Sequence, residues 1–136
     1  MKDDLHRVTD AYFSLLDQNY PQFAEPTHRN AEIVAQMVDA DYSDFPSDKK
    51  RLRFVKRCLN EMIENSFVGE GVKDYMLAVV EFFFLPEMRS FFETVLNTAA
   101  ADFEGCLKGL RSRVYCWQGY EGHPDRHLAH LLLSQI

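Results

Sequence analysis

A chain of 136 residues, 46% hydrophobic and 26% charged, is long enough for one domain to bury a core without disulfide or metal staples. This composition excludes a disordered tail, a collagenous repeat and a low-complexity linker. The net charge of −6 opposes non-specific binding to nucleic acid, and no apolar run approaches the roughly 20 residues of a membrane-spanning helix.

Charge is distributed unevenly along the chain. Residues 1–48 carry ten acids and three bases, residues 49–57 six bases and no acid, and residues 58–136 eleven acids and six bases. Only six Gly and five Pro interrupt the sequence, while aromatic residues reach 13%. Few breakers and long apolar periods predict an all-α fold, a single domain over 1–136 with five to six helices. The charged start, Met1-Lys2-Asp3-Asp4, leads into an amphipathic stretch without an apolar leader, so a soluble cytoplasmic protein is expected.

The first predicted helix covers 3–19, with Leu5, Val8, Tyr12, Leu15 and Leu16 at helical spacing and Tyr20-Pro21 ending it. A loop through Pro26 follows. Thr27 is then expected to cap a second helix over 28–42 that turns Ile33, Val34, Met37 and Val38 inward. After a turn rich in aspartate, Ser47 caps a third helix over 48–67, whose inner face holds Leu52, Val55, Leu59, Met62 and Ile63. Gly69 and Gly71 precede a fourth helix over 72–84. That helix is apolar nearly all round, which places it at the centre of the bundle. From Pro86 a single apolar phase runs Met88, Phe92, Val95, Ala99, Phe103, Cys106, Leu110, Val114 and Trp117. One helix over 87–117, or two collinear ones with a break near Asn97 or Gly105, satisfies that phase. A short last helix begins near Pro124.

Several residues suggest chemistry, and each has a plainer reading. His123, His127 and His130 are spaced four and three apart, as metal ligands on one helix face would be. Pro124 makes His123 a cap, and His127 and His130 with Arg126 and Ser134 form an ordinary polar stripe opposite Leu128, Leu131 and Leu132, which is preferred; no metal or other cofactor is expected. Asp39, Asp41 and Asp44 resemble the start of a calcium loop, but Lys50 stands where the distal bidentate glutamate is required. Cys58, Cys106 and Cys116 have no C-x-x-C spacing and read as free thiols. Glu81 steps with Asp74 and Ala78 along a narrow polar edge, where a solvated carboxylate is the cheaper account. No nucleophile elbow, P-loop or dinucleotide fingerprint occurs, so an enzyme is not expected.

Three features point to binding. Lys49, Arg53, Lys56 and Arg57 cluster on one side of the third helix and suit an acidic protein surface better than phosphates, unless Asp39, Asp41, Asp44 and Asp48 neutralise them internally. Ala101, Gly105, Gly109 and Ser112 form a small-residue stripe opposite the apolar phase of the fifth helix. A second helix, from this chain or from a second copy, would justify two glycines there, unless Gly105 simply breaks the helix. Phe82, Phe83, Phe91 and Phe92 could line a pocket for an apolar ligand, although such clusters are more often core. The sequence therefore predicts a non-catalytic protein-interaction module with a protein partner, itself a homodimer. An apolar-ligand binder and a histidine metal protein are the alternatives.

Overall fold

Helix follows helix through the computed structural model, which describes residues 2–66, 72–96 and 100–115. The described residues form α1 (Lys2–Asn19), α2 (Ala24–Asp39), α3 (Asp48–Asn65), α4 (Val72–Phe82), α5 (Pro86–Leu96) and α6 (Ala100–Tyr115), with short 3-10 turns at Pro21–Phe23 and Tyr42–Asp44. The fold is all-α, as the apolar periods predict, and no strand occurs among the described residues.

Local chemistry sets most of the helix ends. Asp3 and Asp4 occupy the first turn of α1, where the helix dipole favours carboxylates, and Pro21 follows its end. Ser47 caps α3 as expected, its Oγ accepting the Lys50 N–H at 3.3 Å. The second helix departs from expectation by starting at Ala24. Pro26 falls in its first turn, where no N–H is needed, so the helix begins before the proline instead of after it. Thr27 is consequently internal rather than a cap, and its Oγ1 donates to the Phe23 carbonyl at 2.9 Å. At the other end α2 stops at Asp39, and Tyr42–Asp44 makes a separate 3-10 turn with Asp41 as its cap.

α4 is the centre of the bundle, packed on by α1, α3 and α6. Every residue from Tyr75 through Phe83 is buried. Glu81 is therefore not on a solvated edge: it is 1% exposed, because the surrounding helices enclose α4 from Tyr75 onward. Tyr12 of α1 donates from its hydroxyl to the Ala78 carbonyl at 2.8 Å. Burial, and secondly the Glu81 carboxyl, push the Tyr12 hydroxyl well above its ordinary pKa.

A directional polar chain ties α4 to α2 and to the end of α3. Thr27 Oγ1 and Ser66 Oγ spend their protons on the Phe23 and Met62 carbonyls, so both must accept from the interior. Asn30 Nδ2 donates to Ser66 Oγ at 2.8 Å and reaches the Tyr75 hydroxyl at 3.4 Å, and that hydroxyl in turn donates to Thr27 Oγ1 at 2.8 Å. Asn30 Oδ1 is left buried without a hydrogen-bond partner.

α5 and α6 are two helices, and they are not collinear. Residues 89 and 104 would lie roughly 22 Å apart along one straight helix. Instead the Arg89 guanidinium pairs with the Glu104 carboxylate at 3.1 Å, and the Phe92 and Phe103 rings sit 4.5 Å apart. The chain folds back between them, and both helices turn the same apolar phase towards one core. α6 runs unbroken through Gly105, which is therefore no helix break.

Candidate functional site

The exposed side of α3 is built by the helix itself. Val55, Cys58, Leu59 and Met62 are buried, so the opposite side of the cylinder faces outward. That side presents, in order, Lys49, Arg53, Lys56, Arg57, Asn60, Glu61 and Glu64, all exposed. Of the six bases in residues 49–57, only Arg51 turns inward. Its guanidinium donates to the Tyr42 carbonyl at 3.2 Å, to Asp48 at 3.0 Å and to the Val95 carbonyl at 3.2 Å, joining the 3-10 turn, α3 and the end of α5.

Among the described residues the upstream aspartates form no ion pair with the exposed basic cluster. Asp39 takes its hydrogen bond from His6 of α1 at 2.8 Å, Asp41 caps its own turn by accepting the Ser43 N–H at 3.1 Å, and Asp48 pairs with Arg51. Asp44 stays exposed in the 3-10 turn. Among the described residues no carboxylate pairs with Lys49, Arg53, Lys56 or Arg57. The Arg57 guanidinium lies over the Phe54 ring instead, 5.3 Å from its centroid. Phe54, Phe45 and Tyr42 are half-buried and mutually in contact, so an aromatic ledge borders the basic cluster. Sequence reading missed this ledge. Its signal was the Tyr42-Ser43-Asp44-Phe45 turn, whose two rings only the fold brings against Phe54.

The placement of charge along α3 runs against helix stability. Bases fill its first half and acids its second, the reverse of what the helix dipole favours, at about 0.3–1 kcal/mol for each charge in the terminal turns. Lys49 with Arg53, and Arg53 with Arg57, are like charges four apart, each costing about 0.2–0.5 kcal/mol. Among the described residues Asp48 in the first turn and the Ser47 cap offset part of this pattern, and an external contact would explain the rest.

The other candidates lie as follows. Phe82, Phe83 and Phe92 are at most 1% exposed and Phe91 is 9% exposed. Their rings pack on one another and on Tyr12, Phe13 and Phe103 at 4.5–6.3 Å between centroids. These rings are core, and the gap that Phe83 lines with Leu59, Met62, Val79 and Leu107 has no room for a water molecule. Phe91 also edges a shallow surface groove with Leu5 and Pro86. Gly105, Gly109 and Ser112 are exposed on α6, and a Cβ at either glycine would meet nothing within 4 Å. No described helix packs on that stripe; Ala101 lies on the same helix. His123, His127, His130 and Cys116 lie outside the described residues. Within the described residues no group of three His, Cys, Asp or Glu is placed to hold a metal ion, and no helix is long and apolar enough to cross a membrane. Cys58 is buried, and burial raises its thiol pKa, which disfavours the thiolate.

The class that this fold defines is the small all-α bundle. No protein-family model, curated protein or solved structure matches the chain.

Proposed function

We propose that this protein is a non-catalytic interaction module of the cytoplasm, which binds through the exposed face of α3 to a protein surface presenting carboxylates. One observation carries the reading. Lys49, Arg53, Lys56 and Arg57 are exposed and held by no acid of the described fold, although four aspartates stand just upstream in sequence. The bordering ring of Phe54 supports it, since arginine with a neighbouring aromatic is the pairing enriched where interfaces concentrate their binding energy. The aromatic core is filled by its own rings, so the apolar-ligand alternative gains no support from it.

Zero-length carbodiimide coupling in the native cellular context, which joins a lysine only to a carboxylate in direct contact, tests this. Cross-links to a protein partner should concentrate on Lys49 and Lys56 rather than on Lys2 or Lys108. Arg53→Glu with Arg57→Glu should weaken capture of the purified partner at least tenfold. Cross-links spread evenly over the lysines, capture indifferent to the reversal, or an RNA probe bound through the same residues would each refute the proposal.

A further inference from the structure

We infer that the occupant of this surface is an acidic protein segment with an aromatic anchor, whose carboxylates meet the α3 cations while its ring seats on Phe45 and Phe54. The inference rests on α3 being the contact face and names the kind of segment that covers it. Two features of different chemistry meet there: cations that pair with no described carboxylate, and aromatic rings left half in water.

Helix geometry puts the two features side by side. At about 100° and 1.5 Å per residue, Lys50 stands roughly 6 Å before Phe54 and Arg57 roughly 4.5 Å after it, with Arg53 alongside. All three bases are exposed, and none forms a salt bridge among the described residues. The Arg57 guanidinium already lies 5.3 Å from the centre of the Phe54 ring. Behind it the ledge is fixed in place. Phe45 and Phe54 sit 5.3 Å apart, both pack on Tyr42, and the Tyr42 hydroxyl donates to the Met37 carbonyl at 2.6 Å. A planar guanidinium takes a carboxylate at its edge and an aromatic ring at its face, so Arg57 can hold both parts of one ligand.

The surroundings select the class of ligand. Glu61 and Glu64 follow Arg57 on the same face, and Asp44 stands exposed beside Phe45. A nucleic acid carries charge at every unit and would bring its phosphates against these carboxylates. A protein segment places acids opposite the bases and neutral residues elsewhere. A purely acidic segment would leave the rings in water. An aromatic residue among the acids covers them, and arginines beside aromatic rings are where interfaces concentrate binding energy.

Fluorescence anisotropy of two labelled peptides with the full chain, at about 20 mM salt, tests this. One peptide is a run of glutamates interrupted by a single central tryptophan, and the other has alanine in place of the tryptophan. The tryptophan peptide should bind roughly tenfold more tightly. That advantage should vanish in Phe45→Ala, and Arg53→Glu with Arg57→Glu should abolish binding of both peptides. Far-UV circular dichroism verifies that each variant folds, and the comparison of the two peptides on the wild type needs no variant. Equal affinity for the two peptides, an advantage that survives Phe45→Ala, or tighter binding of a single-stranded RNA, whose bases also stack on exposed rings, would overturn the inference. Equal binding that is lost in the charge reversal removes only the anchor and leaves α3 as a carboxylate-binding face. Binding that ignores the reversal refutes the α3 reading as well. If neither peptide binds, the inference fails, and cross-linking at Lys49 and Lys56 still decides the α3 reading.

Discussion

α4 is apolar nearly all round and α3 is two-faced, and the fold treats them differently. α4 has no outside: from Tyr75 through Phe83 each residue is in the interior, and even Glu81 is drawn in. α3 has an inside that the core specifies and an outside that it does not. Where an element is enclosed, its residue identities report packing. Where an element has a free face, a charge order that opposes the dipole and repeats like charges four apart has no packing explanation. Function is better sought on the second kind of element, however suggestive the chemistry of the first.

That contrast can be broken most directly by Phe82→Ala. The ring is fully buried against Tyr12 and Phe13, and its loss should cost about 3–5 kcal/mol, read as a fall in the urea midpoint. A loss below about 1 kcal/mol would mean that α4 is not the enclosed element described. Alkaline titration probes the same interior. Tyr12, Tyr42 and Tyr75 all have pKa values raised by burial, so each stays neutral in the folded state at a pH where the unfolded chain ionises. The contribution of these tyrosines should be constant below about pH 10, the unfolded tyrosine value, and be lost as pH rises above it. Absorbance near 295 nm should then show a class of tyrosines that ionises only on unfolding.

The exposed helices should respond in the other direction. Gly105→Ala with Gly109→Ala should raise stability by about 1 kcal/mol per site, because each new methyl meets open space and the helix gains propensity. A lowered melting temperature would show instead that something packs closely on that stripe. The smallest effect is expected on α3 itself. Arg53→Glu with Lys56→Glu should change folding stability by no more than about 0.5 kcal/mol while altering association.

Much of the fold was legible in residue order. Tyr20-Pro21, the Ser47 cap and the all-round apolar run of the fourth helix each carry a local signal strong enough to survive tertiary context. The errors share a cause. Thr27 has the chemistry of a cap, but a proline one residue earlier is welcome in a first turn, and local pattern alone does not rank the two. The phase running from Met88 to Trp117 says which side is apolar, and a helix folding back onto the same core keeps its phase, so the reversal was invisible. Glu81 was read as solvated because a period argument assumes one wet side. The basic cluster itself could be read from the sequence. Whether it was neutralised could not, because the answer depended on His6, 33 residues away, engaging Asp39.

Arg51 joins segments that are far apart in sequence. Its one guanidinium ties the Tyr42 carbonyl, Asp48 and the Val95 carbonyl together, so the first turn of α3 and the last turn of α5 share a fastening. Helix ends ordinarily fray one by one, each with its own small opening free energy. Here the two should open as a unit, and amide exchange at the start of α3 should slow or quicken together with that at the end of α5. The basic face is thereby presented from a surface turn whose opening is tied in time to the far end of α5.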